Sequence, residues 1–289
     1  MRPDQSQRFI FEHADIRGET VQLEDAYREI LSLHQYAPGV SRLLGEFLAA
    51  SALLATTLKF EGRLVLQARS EREVPLIMAE CNDNLEIRGI ARGAEFATGT
   101  SFEQLLGGGQ LAITIDPLRG KRYQGVVPLE ENSLAHSLDS YFRQSEQLGT
   151  RVWLAAGSDR VTGLLLQQLP AQVEPDPQRR AEQWEHVHTL AATLDEAEML
   201  SVDTPELLHR LYHQEALRLF EARPLRFHCD CSPERSYNAL SALAPAELNE
   251  ILQEQGAITV DCEFCNQRYR FERDDLAAIL GVSGDDALH

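Results

Sequence analysis

Apolar and polar positions alternate through much of the first 170 residues, and that alternation predicts strands. Phe9 and Phe11 open one alternating segment, Arg17-Gly18 reads as a turn, and Val21 and Leu23 continue beyond it. Further strand-like runs cover residues 64–68, 74–81, 85–91, 111–115 and 123–127, and residues 152–156 and 161–166 predict a hairpin across Gly157-Ser158-Asp159. After Pro38 the spacing becomes helical: Val40, Leu43, Leu44, Phe47, Leu48, Leu54 and Leu58 recur while Gly and Ala fill the other faces. A helix apolar on so many sides is expected to be the buried spine of a first domain. Residues 134–147 predict another helix.

Pro170, Pro175 and Pro177 punctuate the chain, and helical periodicity takes over from about Arg179. Trp184, Val187, Ala191 and Leu194 share one face. A second helix is expected to start at Thr204 as cap, with Pro205 as first helical residue, and to run to about Phe220. Its apolar residues Leu207, Leu208, Leu211 and Leu217 form a candidate latch, because short amphipathic helices are unstable unless they lie on something. The final stretch predicts a short helix capped by Ser232, a helix over 245–255 ended by Gly256, two strands at 258–260 and 269–271, and a short helix over 276–280 stopped by Gly281. It holds few large apolar groups and needs a staple to fold. The expected class is α+β: a mixed α/β domain over 1–175, a helical linker over 176–226 and a small C-terminal domain over 227–289 whose clustered cysteines offer zinc as the staple.

Four of the five cysteines fall in that last part, as Cys229-Asp230-Cys231 and Cys262-Glu263-Phe264-Cys265. Residues two apart in extended chain point to the same side, and a Cys-x-x-Cys turn offers two thiolates from one knuckle. Together they can close a tetrahedral site with sulfurs at about 2.3 Å from zinc, one ion per chain and with no open position for a substrate. A redox dithiol at Cys262 and Cys265, or four unrelated buried thiols, are the competing readings. Cys81 ends an apolar run and reads as a small core residue. His186 and His188 are about 200° apart around a helix and cannot share a metal. Gly107-Gly108-Gly109 lacks the Lys-Ser/Thr of a phosphate loop, and no nucleophile elbow or His-Glu-x-x-His occurs. The chain is not expected to be an enzyme.

Charge narrows the partners. The net charge of −18 disfavours nucleic acid. No apolar run approaches the roughly 18 residues of a membrane span, and the first residues do not read as a secretory signal. A cytoplasmic protein, with no membrane partner, is expected, and in a reducing compartment clustered cysteines bind metal or act in redox chemistry.

The residues 227–235 and 262–271 that surround the cysteine pairs, together with 121–129, 141–147 and 163–170 upstream, resemble the heat shock protein 33 family along the whole chain. The resemblance implies an ATP-independent holdase that is silent when reduced and zinc-bound, and active when oxidised. It implies Cys229, Cys231, Cys262 and Cys265 as zinc ligands, and Cys229–Cys231 and Cys262–Cys265 disulfides after the metal leaves. Its partners would be unfolded or partly folded client proteins, with a homodimer in the oxidised form. A zinc-ribbon module of the transcription or translation machinery and a thiol oxidoreductase are the alternatives. A basic face beside the ribbon would favour the first, yet twelve acidic and four basic residues occupy 229–289.

Overall fold

The structure, a computed structural model, describes residues 4–57, 61–129, 132–145 and 149–280, so Leu58, Gln147 and Gly281 lie outside the described residues. The chain divides into two units, 1–228 and 229–289. In chain order the first begins with β1 (Gln5–Phe11), β2 (Ile16–Leu23), α1 (Asp25–Ser32), α2 (Pro38–Thr57), β3 (Gly62–Arg69), β4 (Leu76–Asn82), β5 (Glu86–Arg92), α3 (Phe102–Leu106), β6 (Gln110–Pro117), β7 (Tyr123–Pro128), α4 (Leu134–Ser145), β8 (Thr150–Ala156) and β9 (Val161–Gln168). It continues with α5 (Pro177–Ala191), α6 (Glu196–Ser201), α7 (Thr204–Tyr212) and the short strands β10 (Leu217–Leu219), β11 (Arg223–Pro224) and β12 (Arg226–Phe227). The fold is mixed α/β, as the periodicity predicts.

Two sheets share one spine. The first runs β10-β1-β2-β9-β8, with β11 also paired to β1, and the second runs β12-β5-β4-β3-β6-β7. Helix α2 packs against strands of both, and its Val40, Leu44, Phe47, Leu48 and Leu53 are fully buried. It is long and apolar enough to cross a membrane by length and composition, which no uninterrupted apolar run foretold, but 83% of its apolar window is buried inside the protein. It is a core helix.

Gly18 corrects one expectation. It lies within β2 rather than at a turn, directly opposite Phe9 of β1. A Cβ there would meet Phe9 Cζ at 2.0 Å, so the glycine makes room for a ring that is itself fully buried. Gly18→Ala is expected to destabilise the first unit by about 1–3 kcal/mol, because the ring has nowhere to move. Urea unfolding followed by circular dichroism checks this; an unchanged midpoint would show that the ring re-seats freely.

The second latch helix also differs from expectation. Asp203, not Thr204, caps α7 by accepting from the Glu206 amide, and the helix ends at Tyr212. Leu217 therefore leaves the helix and lies on β10, which pairs with β1 in the register Phe9↔Leu219 and Phe11↔Leu217. An extra helix, α6, stands between the two that the sequence predicts.

The second unit contains α8 (Pro233–Leu240), α9 (Pro245–Gln255), the hairpin β13 (Ile258–Asp261) and β14 (Arg268–Phe271), and α10 (Ala277–Leu280). Ser232 caps α8 through the Arg235 amide, and Gly256 ends α9 at φ +76°, a left-handed position suited to glycine. Among the described residues its buried apolar cluster is Leu240, Leu248, Leu252, Ile258, Phe271 and Leu276.

Candidate metal centre

The β13–β14 hairpin builds half of the site. Cys262 donates its amide to Gln267 O at 2.8 Å, and Asn266 donates to Cys262 O at 2.8 Å, which folds residues 262–267 into a tight knuckle. Asn266 adopts φ +58°, a left-handed conformation that asparagine tolerates better than most residues. The other half is the stretch before α8, where Asp230 pairs with Arg235 at 2.5 Å and Ser232 fixes the start of the helix.

These halves bring Cys229, Cys231, Cys262 and Cys265 together, all four sulfurs lying within 4.8 Å of one another. Cys229 Sγ stands 3.6 Å from Cys262 Sγ, and Cys231 Sγ stands 3.4 Å from Cys265 Sγ. Disulfides would require about 2.05 Å. Tetrahedral coordination at about 2.3 Å per sulfur places neighbouring sulfurs about 3.8 Å apart, so the donor set fits a closed zinc site. The structure brings together all four cysteines that the sequence singles out.

Tyr269, which the sequence does not single out, donates its hydroxyl to Cys231 Sγ at 3.1 Å. Burial works to raise the Cys231 thiol, but this hydrogen bond and those with the neighbouring thiols outweigh it and hold the group below the usual thiol value. Cys265 is pushed up, by burial first and then by the adjacent thiols.

Cys81 is not one of the group. It is fully buried in β4, and burial pushes its thiol up to about 12, which suppresses the reactive thiolate. Cys81→Ser is expected to leave the metal content of the purified chain unchanged. A lost equivalent of metal by atomic emission would overturn the ligand set.

Within the first unit, α5, α6 and α7 lie on one apolar cluster. Leu207, Leu208 and Leu211 join Phe9, Phe11, Ile16, Leu164 and Leu166 there, Val187, Ala191 and Met199 are buried beside them, and Trp184, Leu194 and Leu217 pack partly buried around it. Polar clamps fix the same segment. Arg160 donates to Leu200 O at 2.9 Å and Val202 O at 2.6 Å, Thr20 and Thr204 hydroxyls meet at 3.0 Å, and Tyr212 donates to Val187 O at 3.2 Å. At its start, the Asp15 carboxylate accepts from the amides of Gln172, Val173 and Glu174. Burial opposes ionisation of Asp15, but those three amides, with Arg180, hold its carboxyl below the usual range. His186 binds Glu215 at 2.9 Å while His188 lies beside Trp153 and Trp184, so the two histidines face different neighbours.

Fold and site define the class: a two-unit α/β protein whose second unit carries four convergent cysteines able to hold a metal. Residues 4–272 match the model of the family described as Hsp33 protein. The chain is 52% identical over 284 residues to the 33 kDa chaperonin of Pseudomonas paraeruginosa, covering 97% of this chain and 96% of that one. It is 50% identical over 287 residues to the 33 kDa chaperonin of Pseudomonas syringae pv. tomato, with 98% and 96% covered. The crystal structure of the 33 kDa chaperonin from Thermotoga maritima superposes with a TM-score of 0.81 at 22% identity, covering 96% of this chain and 98% of that one, and so shares the fold. This chain belongs to the Hsp33 family. That family is one of chaperones, which bind client proteins, and not of enzymes.

Proposed function

We propose that this chain is a cytoplasmic, ATP-independent holdase, silent when reduced and zinc-bound and switched on by oxidation. The observation that carries the reading is the set of four sulfurs within 4.8 Å in a unit whose buried apolar cluster, among the described residues, is small. Bound zinc would supply a cross-link between residues about thirty apart, worth roughly 10–16 kcal/mol in small structural sites. Oxidation pairs Cys229 with Cys231 and Cys262 with Cys265, delivers four electrons to two equivalents of a two-electron oxidant, and removes all four donors. Each disulfide closes a loop of only a few residues, so neither replaces the long-range tie between the two motifs.

The consequence passes along the chain. Cys229 directly follows His228, whose amide donates to Ile87 O at 3.1 Å. Once residues from 229 onward unfold, the end of the linker frays, and α5–α7 can leave Phe9, Phe11, Ile16, Leu164 and Leu166. The freed apolar face and the undocked helices would hold unfolding proteins, the oxidised form being a homodimer, with the net charge of −18 keeping complexes dispersed. The test is zinc content before and after peroxide, alongside suppression of aggregation of a heat-labile protein. One equivalent of zinc lost together with a gain of suppression is expected. Suppression that is equal in both states would overturn the switch.

A further inference from the structure

One stretch of eleven residues, 217–227, closes an edge on each of two sheets. β10 and β11 pair with β1, whose other side is β2, and β12 pairs in parallel with β5, whose other side is β4. Backbone bonds do most of the holding. Phe220 donates to Arg8 O at 2.9 Å, Leu225 to Asp4 O at 2.9 Å, Arg226 to Leu85 O at 3.3 Å, His228 to Ile87 O at 3.1 Å, and Glu12 donates back to Ala216 O at 2.9 Å. Side chains add a repeating chemistry. Leu217 packs on one apolar cluster while Leu225 and Phe227 pack on the other. Between them, Arg218 pairs with Glu12 at 2.7 Å, Arg223 donates to Asp83 O at 2.8 Å, and Arg226 pairs with Glu86.

We infer that β1 and β5 are the sites where this protein takes up an extended segment of an unfolded client, by strand addition, and that residues 217–227 occupy those edges as an internal stand-in. The inference rests on the chaperone reading above and names the surface and the kind of segment it fits. A sheet edge stripped of its partner presents unpaired amides and carbonyls, which any extended chain can satisfy regardless of its sequence. That suits a partner defined by being unfolded. The present occupant also specifies a preference: large apolar residues interleaved with arginine or lysine, since Glu12 and Glu86 flank the edges. Undocking of α5–α7 alone would offer side-chain burial without this backbone template.

Hydrogen exchange resolved by residue tests the surface, with carboxamidomethylated lysozyme as a permanently unfolded, basic client. In the full oxidised chain, the edge amides of Ile10, Glu12 and Ile87 are expected to lose protection at least tenfold and to regain it when client is added. Peptide competition tests the mode of binding. A peptide of residues 216–228 is expected to displace the client. The same peptide N-methylated at Phe220, Leu225, Arg226 and His228, the amides that point at the sheets, is expected to compete at least tenfold more weakly. N-methylation at Leu219 and Phe227, whose amides point away, should leave competition unchanged. Edge amides that stay protected after oxidation, or stay unprotected with client bound while aggregation is still suppressed, overturn strand addition and leave the chaperone reading standing. Equal competition by both methylated peptides overturns it too. A chain that suppresses no aggregation in either redox state takes down both readings together.

Discussion

Withdrawing the metal from the reduced chain is expected to unfold residues 229–280 while the two sheets of the first unit stay folded. Among the described residues, the second unit has a buried cluster of six apolar residues, of which only Phe271 is aromatic. Fully burying a large apolar side chain is worth about 1.5–3 kcal/mol, whereas ordering each residue costs about 1.5 kcal/mol, so a core of that size cannot hold some fifty residues by itself. The surface adds little: the Arg268–Asp261 pair at 2.7 Å and the Arg270–Glu272 pair at 3.2 Å are exposed, where solvent screens them. A metal held by the four thiolates would supply the missing term. A chelator added under reducing conditions should therefore abolish the exchange protection of α8, α9, β13 and β14 and lower the helical signal, and Cys262→Ser should do the same without chelator. Amides of β2, β3, β4 and β9, interior strands of the first unit, should keep their protection. If α8 and α9 remain protected after the metal is gone, the four cysteines are not what folds this unit.

How far the chain could be read in advance depended on how local each cause was. The alternation in β3 to β7 and the turn at Gly157 follow from residues within a few positions of one another, and the strands formed where that pattern placed them, within two residues. The knuckle was legible for the same reason, since the close pair Cys262 and Cys265 marks it without help from elsewhere. Gly18 was not, because its cause is Phe9 across the strand pair rather than a local turn. Leu217 failed in the same way. Its spacing continues the leucines of α7, but β1 offers an open edge that a three-residue strand can fill, and tertiary pairing overrode the helical pattern. Tyr269 is intermediate: the hairpin register opposes it to Val260 and aims its hydroxyl at Cys231, a relation visible only once β13 and β14 are paired. The Hsp33 family membership was legible because its cysteine spacing is specific and is carried on a chain that matches over residues 4–272.

Leu207→Glu is expected to activate the reduced, zinc-loaded chain, and by more than any other single change in the docked segment. Leu207 is 1% exposed and sits in the first half of α7, among the residues that seat the linker on Phe9 and Phe11. Removing a buried leucine costs about 2–5 kcal/mol through lost packing, and a carboxylate forced into the same place adds an uncompensated desolvation cost. A bias of about 5.5 kcal/mol takes a two-state equilibrium from 1:99 to 99:1, so a docked segment should become an undocked one. The first-unit core need not follow, because α2 and the faces of both sheets that pack on it belong to a separate apolar cluster. Leu211→Glu should act in the same direction but less, since Leu211 is 8% exposed and lies one residue from the helix end at Tyr212, where fraying relieves part of the cost. The measurement is aggregation suppression by the reduced variant, with zinc content and protection of the interior strands recorded on the same sample. Activity without oxidation is the expected result. A variant that keeps its zinc, exposes α7 to exchange and still suppresses nothing would show that undocking the linker is not enough, and that control lies in the oxidised second unit itself.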